Sequence, residues 1–563
     1  MLTFVREFSK STDFRWLILL ALAAFVPTIG VVNLFDWDEI NFAESAREMM
    51  ESGNYFRVCI NYEPFWEKPP LFFWLQSASM HVFGINEFGA RFPNALCGII
   101  TVTALYFIGK KEKDANFGVL WGFLYLCSFL PQVYFRSAII DPVFNLFIFL
   151  SAYFMFKGLS DTDQKSRKAI LSGLFCGLAV LTKGPVGFLL VLLTCIVYVA
   201  IKRFKLIPTF RQVLLFALMV LLVSFLWFGF EMINNGPWFL AEFIKYQLEL
   251  FSQPVAGHQQ PFYYHFLVVF FFTFPLSVFA LPLLSKRKGL TELQLWMTIL
   301  FWVVLILFTI VKTKIVHYSS MTYLPLSFLA ASVINQKGWS GIPKYVRILF
   351  TILAGLFVLI FAGLPLFAIF KDYFLHLFHD PFAQAGFGNS DIKWTGFEPL
   401  ICLVLFAAFV AFYYYSKREN ILKGLKFYAL LMSLGLSLTT LFIVNNIEGY
   451  SQRPMIDFYK SIQGEKVYVL PVGFKSYAQY FYFRQPQEPN AFGKVKRLKF
   501  DGQSISYNQL ESEVKLWLMY DEIDHDAYFV SKVTNDELDR IGYIEHLYTK
   551  GGFKFYKRPA NKN

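Results

Sequence analysis

Charge is what this sequence has least of. Only 16% of its 563 residues are Asp, Glu, Lys or Arg, while 56% are hydrophobic and the mean hydropathy is +0.45. That balance excludes an ordinary soluble protein of this size and points to a polytopic membrane protein. Cysteine is also scarce. Cys59, Cys97, Cys127, Cys176, Cys195 and Cys402 show no metal-like spacing, and most lie in apolar runs, so neither a thiolate metal site nor a disulfide framework is expected. Tandem repeats and low-complexity tracts are missing, which excludes solenoids and arrays. No small-residue cleavage site follows the first apolar run, 16–35, so that run reads as an uncleaved signal anchor. The net charge of +12 is scattered in short clusters rather than gathered into a stripe, which argues against a nucleic-acid partner.

What is present is a series of apolar runs of about 20 residues, the length a helix needs to cross a bilayer. They fall at 16–35, 90–109, 115–132, 135–156, 168–182, 184–201, 212–231, 262–284, 293–311, 316–335, 347–370, 398–416 and 427–446, about thirteen in all. Every second connection carries the Lys and Arg excess expected of a cytoplasmic loop, from Lys110, Lys111 and Lys113 through to Lys417, Arg418, Lys423 and Lys426. The N-terminus is therefore expected inside, and the loop 36–91 and the tail outside. Residues 1–446 read as a transmembrane unit. The tail, 447–563, turns charged and strand-rich at KVYVLPV, DAYFVSKV and GGFKFYKR, and it reads as a small α/β domain without a phosphate loop or catalytic signature. In it, Thr534 and Glu537 have capping-box spacing and Gly542 suits a helix end, which predicts a short helix over TNDELDRIG.

The polar residues that remain are concentrated in the first external loop. DWDEINFAESAREMM predicts an amphipathic helix lying at the interface, with Phe42, Ala46, Met49 and Met50 on one stripe. Asp36 and Glu39 have capping-box spacing, and Asp36 reads mainly as a helix cap. Asp36-Trp37-Asp38 is also a D-x-D, a metal-diphosphate signal of nucleotide-sugar enzymes, but that donor is cytoplasmic and this loop faces out. Glu67-Lys68-Pro69-Pro70 then starts a second helix. Further ionisable residues collect at span ends on the same side: Arg136 and Asp141, Lys183, then Lys312, Lys314, His317 and Tyr318. Singly, each is more often an interfacial or snorkelling residue. Together, carboxylates and cations sheltered by membrane helices suit an anionic lipid phosphate and a reacting sugar.

The motifs in order resemble the GT-C membrane glycosyltransferases, specifically the bacterial aminoarabinose transferase of lipid A and the related protein O-mannosyltransferases. They are Asp38-Glu39, A-E-x-x-R-E-M at 43–49, E-K-P-P at 67–70, G-x-x-x-F-G-x-R at 84–91, Asp141-Pro142, T-K-G at 182–184 and K-x-K-x-x-x-Y at 312–318. The resemblance implies an α-helical GT-C fold in the bacterial cytoplasmic membrane. It implies a polyprenyl-phosphate-linked sugar, such as one carried by undecaprenyl phosphate, as donor, transferred with inversion to lipid A, to a protein or to another envelope acceptor. A transporter or flippase of a lipid-linked sugar is the alternative from another class, although no two related halves are visible. Carried over, Asp38 is the catalytic carboxylate with Glu39 beside it, and Asp141 shapes the pocket. Lys68, Lys183 and Tyr318 bind the carrier phosphate, and Glu67, Arg136, His258, Lys312 and Lys314 complete the substrate-binding set. In the aminoarabinose transferase the glutamate of the E-K-P motif and a histidine can hold a metal. Here Gln247 stands at that histidine with His258 and His265 nearby, so no cofactor is expected, with Glu67 the place for a divalent ion if there is one.

Overall fold

The computed structural model describes residues 2–253, 259–286, 288–500 and 507–561. Among them, seven helices are long and apolar enough to cross a membrane: Glu87–Glu112, Asp141–Ser160, Phe210–Asn235, Glu292–Ile310, Lys344–Ile369, Glu398–Lys417 and Ile421–Gly449. Two bent pairs raise this to nine if each pair is one span. Ala115–Leu126 and Phe129–Phe135 meet at 76°, and Tyr264–Phe272 and Leu276–Leu284 at 116°. The run 262–284, read from sequence as one span, is therefore a broken one, turned at Phe274-Pro275 where proline cannot continue the donor ladder. Helices Lys165–Lys183 and Val186–Ile201 divide at Gly184-Pro185, as the polar break in the sequence indicates.

Small residues set the close packing of the bundle. Gly109 and Gly118 face one another across helices Glu87–Glu112 and Ala115–Leu126, where a Cβ on Gly109 would stand 2.7 Å from the Gly118 Cα.

The first external helix departs from its expected placement. Asp38–Ser52 is buried on nearly every side, from Glu39 to Met49, so it does not lie on the interface with a wetted polar face. Some of its polar residues find protein partners: Arg47 is held by Glu44 at 2.7 Å and by the Gln485 carbonyl at 2.9 Å, and Glu48 accepts from the Tyr62 amide at 2.9 Å. An amphipathic pattern does not distinguish a lipid surface from a protein lid, and here the tail supplies the lid.

That tail carries a four-stranded mixed sheet in the order Tyr468–Val472, Ala527–Lys532, Phe553–Arg558, Glu545–Lys550, with the first pair parallel and the others antiparallel. Alternate residues serve opposite faces. Tyr468, Leu470, Phe529 and Tyr556 pack with Val514, Trp517 and Leu518 of helix Tyr507–Tyr520. Val469, Val530 and Phe555 turn the other way and join the bundle core through Phe458, whose ring lies 4.7 Å from that of Phe555. The helix expected over TNDELDRIG is only a single 3-10 turn, Leu538–Arg540. Asn535 accepts from the Glu537 amide in a tight turn, while Asp536 and Asp539 are both drawn to Lys554 at 2.7 Å, and these local bonds compete with helix. The tail sits on the segment 34–63 through Tyr482 to the Leu34 amide (2.6 Å), Lys496 to Glu63 (2.7 Å) and Asn490 to Asn61 (2.9 Å).

Candidate active site

Two carboxylates are delivered by helix N-termini. Asp38 and Asp141 are the first residues of helices Asp38–Ser52 and Asp141–Ser160, where the helix dipole favours negative charge, and Pro142 suits the opening turn of the second. Lys183 ends helix Lys165–Lys183, where the same dipole favours a cation. Gly184 stops that helix with φ +97, and a Cβ there would meet the Phe243 ring at 2.6 Å. The turn Val316–Thr322 brings in His317 and Tyr318, and helix Trp238–Ser252 brings in Tyr246.

These elements enclose a cavity of about 150 Å³ lined by Asp38, Glu67, Lys68, Asp141, Lys183, Tyr246, His317 and Tyr318, with Trp37 and, from the tail, Lys475 and Tyr477. Lys183 Nζ is 2.5 Å from Asp141 Oδ1 and 4.8 Å above the Tyr318 ring. His317 Nε2 stands 3.6 Å from both Asp38 Oδ2 and Asp141 Oδ2, within reach of either charge but beyond a formed hydrogen bond. Lys68 Nζ lies 3.9 Å from Glu67 and 5.0 Å from the centre of the Tyr246 ring. Burial pulls the Lys68 ammonium below its ordinary range, against the charges of Glu67 and Asp38. The walls carry three carboxylates and three ammonium groups; Asp141 is closely paired with Lys183, whereas Asp38 has His317 at 3.6 Å and the charge of Lys68 further off. The arrangement can therefore accept a proton at Asp38 and hold a phosphate near Lys68 and Lys183.

Several sequence-derived site residues lie elsewhere. Glu39 is 4% exposed and outside this cavity. Both of its oxygens are used by Arg91, at 2.9 and 2.7 Å, and it also accepts the Phe35 and Ala138 amides, so it is a structural anion and not a second catalytic carboxylate. Arg136 lines a different cavity and donates to the Ala24 carbonyl at 2.6 Å. Lys314 is buried on the Val311 carbonyl at 2.8 Å, and Lys312 is exposed. Their segment is extended, with Thr313 bridged to Gln259, so Thr313 and Ile315 face the cavity and Lys312 and Lys314, which alternate with them, do not. Asp36 does not cap the helix. Its carboxylate accepts from Ser476 and from the Tyr477 amide at 3.2 Å, tying the loop to the tail. His258 lies outside the described residues.

As for a metal, Glu67 is neighboured by Lys68 and Tyr246, and among the described residues no group of three His, Cys, Asp or Glu side chains is placed to hold a metal ion. Tyr246, Lys475 and Tyr477 are among the members that sequence reasoning did not place in the site, and His317 it gathered with the ionisable residues at span ends without giving it a role. His317 was visible in KTKIVHY, but the tail residues carry no local signal.

The chain is similar in sequence and in fold to several known proteins. Residues 67–228 match the family described as dolichyl-phosphate-mannose-protein mannosyltransferase. An uncharacterised protein of Aquifex aeolicus is 30% identical over 332 residues, 58% of this chain and 64% of its own. The undecaprenyl phosphate-alpha-4-amino-4-deoxy-L-arabinose arabinosyl transferase of Shewanella sediminis is 25% identical over 318 residues, 56% of this chain and 58% of its own. The matches thus span about three fifths of these relatives. In fold, the chain is similar to ArnT from Cupriavidus metallidurans. The TM-score is 0.76 against the apo crystal structure, at 16% identity over 97% of this chain and 98% of that one. It is 0.73 against the form bound to undecaprenyl phosphate, at 18% identity over 96% and 97%. The chain thus has the fold of ArnT, and residues 67–228 carry the sequence signature of the mannosyltransferase family.

Proposed function

We propose that this GT-C chain moves a sugar from a polyprenyl-phosphate carrier to an acceptor at the outer face of the bacterial cytoplasmic membrane. The observation that carries the reading is the cavity that gathers the carboxylate of Asp38, without a close ammonium partner, with Lys68, Lys183 and His317. The arabinosyl transferase relatives and the undecaprenyl phosphate-bound ArnT fold support the same donor class. In this reading the N-terminus is cytoplasmic, about thirteen segments cross the membrane once shorter apolar helices are counted, and 447–563 is an external domain.

With a hydroxyl acceptor, its oxygen attacks the anomeric carbon and its proton passes to Asp38. The bond from that carbon to the carrier phosphate breaks on the opposite face, inverting the centre, and Lys68 and Lys183 take up the charge left on the phosphate. An acceptor that is itself a phosphate, as on lipid A, needs no base, and Asp38 then orients it. The test is incubation of the purified chain with a labelled undecaprenyl-phosphate sugar and either lipid A or a protein acceptor. Free undecaprenyl phosphate and one labelled acceptor are expected. Movement of the intact donor between bilayer leaflets without cleavage would instead establish a flippase.

A further inference from the structure

A second cavity, of about 220 Å³, stands behind the first, and none of the chemistry above uses it. Its wall includes Thr28, Phe35, Phe129, Arg136, Phe361 and Thr439. Most of that wall is apolar, and Phe35 and Val133 are substantially exposed on its rim. The polar part is short of partners. Arg136 reaches the Ala24 and Ser433 carbonyls and Ser437, yet its Nη1 is buried without a hydrogen bond, as are Thr28 Oγ1 and Thr439 Oγ1. Among the described residues no carboxylate comes within ion-pair distance of Arg136. Glu39 borders the cavity, but its charge is already matched by Arg91 through two bonds. A guanidinium placed among apolar side chains without a counter-charge is costly. Thr439 also begins a π-helical turn, Thr439–Val444, and such wide turns are unusual within helices and frequent at functional sites.

We propose that this cavity binds the phosphate group of an anionic membrane phospholipid, seated on Arg136 and the two threonine hydroxyls, with its chains along Phe129, Val133 and Phe361. It is a site for a bilayer lipid and not for the reacting donor, because the Glu39–Arg91 pair and the start of helix Asp38–Ser52 separate it from the reaction cavity. The two are nevertheless back to back. Glu39, next to Asp38, accepts the Ala138 amide at 2.6 Å, three residues before Asp141.

The test is native mass spectrometry of the full chain, delipidated in detergent and titrated with phosphatidylglycerol, with diacylglycerol and inorganic phosphate as parallel probes. One phosphatidylglycerol is expected to stay on the wild type, and Arg136→Gln should lower its affinity roughly tenfold, the scale of a lost charge-assisted bond. Thr439→Leu, which fills the cavity and leaves the guanidinium intact, should do the same even if the arginine variant proves unstable. Diacylglycerol should not be retained. Unchanged phosphatidylglycerol binding in either folded variant, or equal retention of diacylglycerol, would overturn the proposal. Full displacement by millimolar inorganic phosphate would identify a free-anion site and overturn the lipid source.

Discussion

At the scale of residues, Asp38 and Asp141 reach the same imidazole but keep different company. Asp141 is paired with Lys183 at 2.5 Å, whereas the Asp38 side chain is 44% exposed with His317 at 3.6 Å. Asp38 is therefore the stronger candidate to take a proton, and Asp38→Asn should lower transfer to a hydroxyl acceptor by about 10²–10⁴-fold with little change in expression. Near-normal turnover in that variant would remove the base assignment. The neighbouring Glu39 is predicted to behave differently. Arg91 makes five bonds around it, two to Glu39 and three to the carbonyls of Ile29, Val32 and Asn33, so it ties the end of the first helix to the start of the next. Arg91→Leu leaves a buried carboxylate uncompensated, and a loss of about 3–5 kcal/mol is expected, read as a lower denaturation midpoint in detergent. A stable protein that has merely lost activity would make Glu39 a reacting group after all.

At the scale of elements, each charged group is presented at an end: Asp38 and Asp141 open helices, Lys183 closes one, and Lys475 to Tyr477 follow a strand. Asp36 shows what the last of these does. Burial pushes its carboxyl up to about 6 from the usual 3.8, against the opposing hydrogen bonds from Ser476 and Tyr477. A carboxyl raised in the folded state binds a proton there that the unfolded chain has already lost. Its contribution is therefore greatest below the unfolded value and declines as pH rises from about 4 to about 6. Between those limits the thermal midpoint of the wild type should fall relative to Asp36→Asn, and parallel curves would mean that Asp36 does not titrate there. Sequence reasoning located Asp38, Lys68, Asp141 and Lys183 because acids and bases are conspicuous in an apolar chain. It misjudged Lys312 and Lys314 because an extended segment alternates its side chains, and the phase of that alternation depends on the Thr313 to Gln259 bridge, which local pattern does not contain. The buried helix Asp38–Ser52 was misread as interfacial for a related reason: its covering partner lies in the tail.

At the scale of the whole molecule, the tail is part of the site and not only a scaffold on its edge. Ser476 meets Asp36 from 440 residues away, and the Lys475 carbonyl accepts from the Trp37 indole at 3.2 Å. A contact across that separation leaves no trace in composition or periodicity, which is why the tail's strands were legible and its role was not. Lys475 adds a third ammonium group to the cavity, lying 5.5 Å from the centre of the Trp37 ring and 5.4 Å from that of Tyr477. The first loop supplies Lys68, the bundle Lys183 and the tail Lys475, so ammonium groups from three parts of the chain line one cavity and favour more than one anionic group there. A phosphate-bearing donor and an acidic acceptor such as lipid A require this, whereas a neutral hydroxyl acceptor does not. Lys475→Glu is expected to raise KM for lipid A at least tenfold, the scale of one charge-assisted contact, with a much smaller change for a neutral acceptor. Deleting 447–563 would not answer the same question, since it strips Tyr482 from the Leu34 amide and the Gln485 carbonyl from Arg47 of helix Asp38–Ser52 together. Measured with both acceptors, equal KM values in wild type and Lys475→Glu would confine the tail to support, and a rise confined to the acidic acceptor would make it the part of the molecule that selects the acceptor.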